Sequence, residues 1–353
     1  MIKLSRIEVR TLRMPLISPF ETSFGRESVR EVLLIAVHTA DGLTGWGECS
    51  AFSEPLYNEE DNTTARHILA DYIIPSLLDQ PVDSPQDYAA RFAYIRGNRM
   101  AKAALEDALW DIAAQQVGKP LWRYLGGVRQ QLPAGVSIGI AANDAALVEQ
   151  VADFLEQGYQ RIKIKIKPGR DVAPTAAVRA RFPDVPLQVD ANSAYTLAPH
   201  HLAALKALDD YRLLLIEQPL GEDDIVDHAT LQAQLATPIC LDESIRSRDD
   251  ARKAYQLDAA RIINIKRGRV GGITEALAIH DYCRANGIAV WCGGMLETGV
   301  GRAINLALAT LPGFTMVGDL SASNRFYAQD IIAAPFTLLK SGPRRGTISV
   351  PNS

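Results

Sequence analysis

The pattern of apolar and polar residues changes character about a third of the way along the chain. The first part begins with segments in which the two kinds alternate, as is typical of strands: residues 7–16, 32–39 and 43–51. The Asp41-Gly42 pair before the third segment predicts a hairpin turn, and the polar residues 18–30 predict a loop. Segments with apolar residues three or four apart follow and predict helices: residues 64–78, 84–94 and 100–118. Strands followed by helices indicate an α+β domain over residues 1–130.

From about Pro133 onward, short apolar segments alternate with amphipathic ones. The apolar segments predict eight strands: residues 135–140, 161–166, 187–190, 213–217, 238–242, 262–266, 289–292 and 314–317. Eight strand–helix units over residues 131–320 predict a closed (β/α)₈ barrel. An open doubly wound sheet is the alternative, but it normally has fewer strands and a GxGxxG fingerprint, which the chain's Gly-Gly pairs do not match. The irregular residues 321–353 are predicted to return to the first domain and complete it.

Composition narrows the class of protein without changing this outline. The chain has 353 residues, 47% of them hydrophobic and 22% charged, as expected for a globular enzyme of two domains. A net charge of −4 without a basic run argues against nucleic acid as a partner. No apolar stretch reaches the roughly 18 residues that a membrane span needs. Four scattered cysteines without a CxxC are expected to be buried fillers rather than disulfides or zinc ligands, in a cytoplasmic protein. A homo-oligomer is left open.

Charged residues stand at the ends of five consecutive predicted strands. Strand two carries Lys163 and Lys165, and the next four end in single charged residues: Asp190, Glu217, Asp242 and Lys266. From Lys165 onward, 24 to 27 residues separate consecutive members, about the length of one strand–helix unit. Because the carboxyl ends of barrel strands meet at one mouth, three acids with lysines on either side are expected to face a common point.

The chemistry of this group points to a metal and a base. Three neighbouring carboxylates repel one another unless a cation neutralises them, and ligation by oxygen alone favours Mg²⁺, with Mn²⁺ or Co²⁺ as alternatives. A cation that contacts a substrate carboxylate stabilises the enediolate formed when the α-proton is removed, and a lysine beside it can act as the base. Taken singly, an acid at a strand end could instead cap the next helix, and the alternating lysines could form an exposed strand face. The register over five strands favours the metal site.

At this point the sequence resembles the enolase superfamily, in the branch related to muconate-lactonising enzymes. Within that branch it is most similar to the o-succinylbenzoate synthase / N-acylamino acid racemase group. The resemblance covers nearly the whole chain, and its most group-specific stretch is VWCGGMLETG. The resemblance implies that Asp190, Glu217 and Asp242 bind the metal and that Lys165 is the base on one face. It makes Lys163 a residue that orients the carboxylate and lowers the pKa of Lys165.

The resemblance also assigns Lys266 to the opposite face, as a second base or as a cation. It places six residues in the substrate pocket or its surroundings: Ser137, Asn192, Arg269, Gly293, Gly294 and Met295. Residues 18–25 and 52–57 would close over the substrate. An arginine at position 269 goes with members of the group that can racemise. Arg267 stands where the group leads us to expect proline, and we expect it to alter only the local turn.

These residues predict removal of the proton α to a small-molecule carboxylate. The resemblance implies dehydration to o-succinylbenzoate in menaquinone biosynthesis, racemisation of N-acyl (N-succinyl) amino acids, or both. A dipeptide epimerase is the alternative within the fold. It would need an acid for the substrate's ammonium, and the nearest candidates, Glu297 and Asp319, are interpreted as helix caps. A Schiff-base aldolase and a non-catalytic scaffold remain as other classes, against which the three acids in register argue.

Overall fold

A computed structural model describes residues 1–340, 342 and 345–351 of the chain. Its N-terminal region opens with an antiparallel sheet in the order β1 (Leu4–Glu21), β2 (Arg26–Thr39) and β3 (Thr44–Cys49). The predicted turn is confirmed, with Gly42 at a φ of 93°. The predicted loop at residues 18–30 is wrong, because after a register shift beyond Pro15 the strands pair again at Phe20 and Glu27. Most of the polar side chains there lie on an exposed strand pair, so the alternation of apolar and polar residues that marks a strand is not visible in the sequence.

Helices then cover this sheet. They are α1 (Asn62–His67), a π-helical turn (Ile68–Ile73), α2 (Ile74–Asp79), α3 (Pro85–Arg91), α4 (Arg99–Gln116) and α5 (Leu121–Tyr124). The buried helix α4 lies directly on β3. Gly47 permits this approach, since a Cβ on it would stand 1.9 Å from the Ala104 carbonyl oxygen. The three predicted helices are therefore present, the first of them divided by the π turn.

The second part of the chain alternates strands with helices. Its strands are β4 (Gln131–Pro133), β5 (Gly135–Ile138), β6 (Arg161–Lys165), β7 (Leu187–Asp190), β8 (Ile216–Glu217), β9 (Ile239–Leu241), β10 (Ile262–Ile265) and β11 (Ala289–Cys292). Its helices are α6 (Asp144–Gln157), α7 (Val172–Arg181), α8 (Pro199–Ala207) with a 3₁₀ turn (Leu208–Tyr211), α9 (Ile225–Gln232), α10 (Arg248–Gln256), α11 (Arg267–Val270), α12 (Ile273–Ala285) and α13 (Gly299–Ala309). Within the described residues, β5 to β11 form one parallel sheet in chain order. The fold is the predicted (β/α)₈-type barrel with an α+β capping domain.

The eighth strand, predicted at residues 314–317, is not a regular strand. Its first residue, Phe314, forms one parallel bridge with Val290, while its amide donates to the Leu311 carbonyl of the preceding turn. Scattered bonds nevertheless connect this segment to both of its neighbours: Met316 donates to Val290 at 3.4 Å, and Gly318 accepts from Gly135 at 3.1 Å. The segment therefore lies between β11 and β5 and completes the ring by position rather than by continuous pairing.

The last part of the chain contacts both domains. Near its start, after a 3₁₀ turn (Ser323–Arg325), the Phe326 carbonyl accepts from the Ile17 amide at 2.9 Å. Its final strand, β12 (Thr347–Ser349), pairs with β4 and not with the N-terminal sheet. Residues 341, 343, 344, 352 and 353 of the predicted C-terminal segment lie outside the described residues. The domain limits at 130 and 320 stay a prediction.

The two domains are joined by buried charged side chains as well as by apolar packing. The Glu48 carboxylate of β3 accepts from the Thr298 and Gly301 amides and the Thr298 hydroxyl, at the N-terminus of α13. Arg267 of α11 is 1% exposed and is paired with Asp107 of α4. The expectation that Arg267 alters only a local turn is wrong, because its side chain extends into the other domain.

Two expectations drawn from composition can be compared with the structure. All four cysteines, Cys49, Cys240, Cys283 and Cys292, are buried free thiols, as expected of apolar fillers. Over the part of the chain that the structure describes, no helix is both long and apolar enough to cross a membrane.

Candidate active site

The barrel brings the predicted lysines and acids together at the carboxyl ends of its strands. In the sheet register Lys165 stands beside Asp190, and Asp190 beside Glu217. Residues that are equally spaced in the sequence therefore lie at the same height in the barrel. The Lys165 Nζ lies 2.6 Å from the Asp190 Oδ2. Lys163 Nζ reaches both acids, at 3.1 Å from Asp190 and 2.9 Å from Glu217. Side chains from three adjacent strands thus form one ion-paired group.

Asp242 and Lys266 extend the group across the next two strand ends. The Lys266 Nζ is 2.7 Å from the Asp242 Oδ2, and Arg269 pairs with the other oxygen of the same carboxylate. Tyr57, from the N-terminal domain, places its hydroxyl 3.4 Å from Asp242 Oδ1 and 3.3 Å from Lys266 Nζ. The other domain therefore takes part in the site.

The donor set suits a hard divalent cation, because its ligands are carboxylate oxygens on adjacent strands. Asp190, Glu217 and Asp242 are each fully buried, and every one of them is paired with a lysine. In this arrangement the described residues contain no group of three or more His, Cys, Asp or Glu side chains that could hold a metal ion. The assignment of the three acids as metal ligands stays a prediction. The lysine ammonium groups lie beside the carboxylates, which a bound cation would otherwise neutralise.

The surroundings shift the pKa values of the lysines in opposite directions. Burial lowers the pKa of Lys165, and the charges of Lys163 and Lys266 add to this effect against Asp190. This is the direction and one of the causes predicted from the sequence. Burial also acts to lower the pKa of Lys266, but Tyr57, Glu243 and Glu217 outweigh it and raise the value. Lys165 is thus the easier of the two to deprotonate.

The carboxylates are also unequal. Burial acts to raise the pKa of Asp190, yet Lys165 and Lys163 outweigh it and hold the value well below its usual range. Burial and the neighbouring Asp190 raise the pKa of Glu217 despite the lysines. Burial raises the pKa of Glu243 to about 7, and its Oε1 accepts from Asn192 at 2.8 Å. Asp190 therefore gives up its proton more readily than Glu217 or Glu243 does.

Asn192 orients Lys165 from the loop after β7. Its Oδ1 accepts from the Lys165 Nζ at 2.6 Å, and its backbone has a φ of 44°, in the left-handed region. Asparagine tolerates this conformation better than most residues do, which lets the amide turn back toward the lysine. The sequence placed Asn192 near the substrate, and the structure places it against the predicted base.

A cavity of about 370 Å³ lies over the lysines, between the barrel mouth and the N-terminal domain. It is lined by Phe20, Thr22, Phe24, Gly25, Arg26, Glu27, Phe52, Ser53, Glu54, Leu56, Tyr57, Gly135, Ser137, Lys163, Lys165, Asn192, Lys266, Gly294, Met295, Leu296, Glu297, Arg302, Asp319, Ser321 and Phe326. As predicted, residues 18–25 and 52–57 supply part of this lining. The Ser137 hydroxyl has no hydrogen-bond partner among the described residues, so it is free to meet a ligand.

Two of the predicted pocket residues lie outside the lining. Arg269 is buried behind it, where its Nε donates to the Ile245 carbonyl at 2.8 Å while its other end holds Asp242. Gly293 makes room for a neighbour, since a Cβ there would stand 2.8 Å from the Lys266 Cε. Both residues act on the site through the residues they support.

The interpretation of Glu297 and Asp319 as helix caps is wrong. Asp319 pairs with Lys163 at 2.6 Å and with Arg161 at 2.8 Å, and these cations outweigh burial and lower its pKa to about 2. Glu297 accepts from the Met295 amide at 2.7 Å, while the cap of α13 is Thr298. The partners of Asp319 lie far from it in the chain, so nothing in the local sequence indicates them.

The sequence is similar to known protein families and to proteins of named activity. Residues 146–352 match the family described as enolase C-terminal domain-like, and residues 6–126 match the N-terminal domain of mandelate racemase / muconate lactonizing enzyme. The chain is 53% identical to an o-succinylbenzoate synthase of Geobacillus stearothermophilus, over 94% of this chain and 88% of that protein. It is 50% identical to an N-succinylamino acid racemase of an Amycolatopsis species, over 99% of this chain and 96% of that protein.

Solved structures agree with these matches. A member of the enolase superfamily from Listeria innocua superposes with a TM-score of 0.94 at 42% identity, covering 100% of this chain and 93% of that one. A substrate-liganded L-Ala-D/L-Glu epimerase from Bacillus subtilis superposes with a TM-score of 0.90, covering 99% of this chain and 97% of that one, but at only 27% identity. The fold is shared with epimerases, and the sequence is closer to the synthases and racemases.

Proposed function

The chain belongs to the mandelate racemase / muconate lactonizing enzyme family of the enolase superfamily, and from this we propose that it removes the proton α to a carboxylate with a lysine. Its reactions are the dehydration that yields o-succinylbenzoate and the racemisation of N-succinylamino acids, the activities named for its relatives. The observation that carries the proposal is the placement of Lys165 and Lys266. They follow strands four positions apart in a ring of eight, so they face the same cavity from opposite sides.

The pKa shifts assign different tasks to the two lysines. Lys165, whose pKa is lowered chiefly by burial, accepts the α-proton when that proton points toward β6. Lys266, whose pKa is raised by Tyr57, Glu243 and Glu217 against burial, keeps its proton more readily than Lys165 does. In the dehydration its charge faces the developing anion while the β-hydroxyl leaves. In the racemisation it returns a proton to the opposite face, and for the other enantiomer the two lysines exchange tasks.

Asp190, Glu217 and Asp242 are the residues that would hold a divalent metal, with Mg²⁺ the first choice for a set of carboxylate oxygens. A bound cation would supply Lewis-acid stabilisation of the charge that develops on the substrate carboxylate. Each of the three acids is paired with a lysine, and a cation held by them would compete with those ammonium groups for the carboxylate oxygens. Freed from Asp190, Lys165 would lose the contact that works to keep it protonated.

The walls of the cavity favour an acyl arm over a free ammonium at the far end of the substrate. On the barrel side Asp319 is committed to Lys163 and Arg161, and Glu297 to the Met295 amide and Asn305. A dipeptide's ammonium would therefore find no free acid on that side. Arg26 lines the cavity from the N-terminal domain and is a cation available to a succinyl carboxylate.

The proposal is tested by comparing kcat/KM for three substrates with the same preparation and Mg²⁺. These are the cyclohexadiene carboxylate precursor of o-succinylbenzoate, an N-succinylamino acid with an apolar side chain, and an Ala-Glu dipeptide. We expect the first two to exceed the dipeptide by at least about a hundredfold, since on the barrel side the ammonium would meet only acids that are already paired with Lys163, Arg161 and Asn305. A dipeptide as the best substrate would show that the chain is an epimerase. If the test shows o-succinylbenzoate synthase activity, we propose that the enzyme acts in menaquinone biosynthesis.

A further inference from the structure

The residue next to Lys266 in the chain is a buried cation with partners in both domains. Arg267 is among the largest fully buried side chains of the protein. Its Nη1 is paired with Asp107 of α4 and lies 3.3 Å from the Glu48 carbonyl oxygen of β3. Its Nε donates to the Asn305 Oδ1 of α13 at 3.2 Å. One guanidinium therefore joins the turn that carries Lys266 to three other elements.

The packing around this guanidinium leaves it little freedom. A Cβ on Gly301 would stand 2.6 Å from the Arg267 Nη2, so α13 presses against the side chain at that point. The neighbouring Gly268 is equally close to the N-terminal domain, since a Cβ there would be 2.6 Å from the Ser50 hydroxyl. The short helix α11, which begins directly after Lys266, is thus held against the other domain at two consecutive residues.

The same contacts reach the wall of the cavity. Asn305, which accepts from Arg267, donates through its Nδ2 to the Glu297 Oε1 at 3.0 Å. The other oxygen of Glu297 accepts from the Met295 amide, and both of these residues line the cavity. Lys266 and the loop after β11 are therefore held by one connected set of side chains that starts at Asp107.

Among the described residues, no buried ion pair of this kind joins the neighbours of Lys165 to the N-terminal domain. Lys165 is oriented by Asn192 and Asp190, both from the adjacent strand β7 and the loop that follows it. The N-terminal domain reaches this pair through the Ser23 hydroxyl, which donates to the Asn192 backbone carbonyl at 3.2 Å, whereas it meets the residue next to Lys266 through a buried ion pair. A defect at Arg267 should accordingly disturb one face of the substrate more than the other.

We propose that Arg267 is a positioning residue for Lys266, held in place by Asp107 of the N-terminal domain. The inference rests on the two-lysine mechanism proposed above. It makes the docking of the capping domain a condition for proton transfer on the Lys266 face, while transfer on the Lys165 face is independent of this contact.

The test measures exchange of the α-proton with solvent deuterium for each enantiomer of an N-succinylamino acid. Lys165→Ala and Lys266→Ala first assign each enantiomer to its lysine. In Arg267→Met, which keeps an unbranched apolar stem, we expect exchange on the Lys266 face to fall roughly tenfold to a hundredfold, with the other face within about twofold. Asp107→Asn, which keeps the shape of the partner, should give the same selective loss to a smaller degree. Arg267→Lys, which restores the charge, should recover part of the rate.

Glu106→Gln is the matched control, because Glu106 precedes Asp107 on α4 and crosses the same interface to Thr274, away from Lys266. It should leave the ratio of the two exchange rates unchanged. If the lysine variants separate the enantiomers and Arg267→Met and Asp107→Asn then slow both faces equally, this inference is overturned and the mechanism stands. If the lysine variants do not separate the enantiomers, the two-lysine mechanism falls, and the inference with it.

Discussion

The barrel mouth and the domain interface both bury carboxylates completely, but they supply them with cations in different proportion. At the mouth, Lys163 and a second cation flank Asp190 and Asp319, and the pKa of each carboxylate is lowered although burial acts to raise it. At the interface, burial outweighs every favourable contact. It raises the pKa of Glu106 to about 8, and that of Asp107 to about 7 in spite of Arg267.

This difference in pKa distinguishes carboxylates that take part in chemistry from those that hold the two domains together. The cations at the mouth keep Asp190 and Asp319 ionised, although burial still raises the pKa of Glu217 and Glu243 there. At the interface the carboxylates lie close to neutrality and act mainly as hydrogen-bond acceptors between two domains that stay together. Burial of a carboxylate is thus no sign of catalysis by itself, and the number of cations around it is the better indicator.

Removal of the metal is expected to have the largest effect on activity at the barrel mouth. We expect EDTA to lower both activities roughly a thousandfold or more, since a cation contributes several kcal/mol to stabilising the enediolate, and Mg²⁺, Mn²⁺ or Co²⁺ to restore them. Asp242→Asn should lose activity and bind Mg²⁺ more weakly in calorimetric titration. Asp249→Asn, at an exposed ion pair with Lys253, is the control. Full activity of the metal-free enzyme would contradict the mechanism.

Replacing one lysine at a time sharpens the contrast within the mouth. We expect Lys165→Ala to lower synthase and racemase rates roughly 10²- to 10⁴-fold, the usual contribution of a general base. Lys266→Ala should abolish racemisation and weaken the synthase through the loss of its charge. Lys167→Ala, two residues after Lys165 but paired with Glu21 on the surface, should behave like the parent enzyme. Undiminished racemisation in either active-site variant would exclude a two-base site.

A neutral side chain at the interface should change stability rather than activity. Since the pKa of Glu106 rises from 4.5 to about 8 on folding, the folded state binds its proton more tightly. The free energy of unfolding therefore falls as pH rises from about 4.5 to about 8, and it stays reduced above that. Glu106→Gln should remove this decline and be more stable at pH 8.5 by about 1 to 4 kcal/mol, with little gain at pH 5. Urea unfolding at the two pH values measures it, and a gain of equal size at both would refute the shift.

The sequence was most informative where a pattern repeats. The alternation of strands and helices predicted the barrel, and the spacing from Lys165 to Lys266 predicted the height of each charged residue at the mouth, because one strand–helix unit has a nearly constant length. The segment 314–317 was predicted as a strand because of its apolar run, but its backbone pairs only at scattered points.

What the sequence could not predict are contacts between residues far apart in the chain. The pairing of Asp319 with Lys163 and Arg161 joins the irregular eighth segment to β6, and that of Arg267 with Asp107 joins two domains. No local pattern encodes such partners, and an isolated acid or arginine is usually exposed. Arg267 did carry one signal, its departure from the expected proline, but the departure alone does not say where the side chain goes.

The contact of the Glu48 carboxylate with the N-terminus of α13 bears on how the molecule unfolds. The first amides of any helix lack partners within the helix, and here two amides at this end, those of Thr298 and Gly301, are satisfied from the other domain. If the N-terminal sheet detached, the barrel would keep a helix with exposed amides, and the sheet would keep an unpartnered carboxylate. Half-folded species are therefore penalised on both sides. We expect the two domains to unfold in a single cooperative transition, so that neither is an autonomous folding unit.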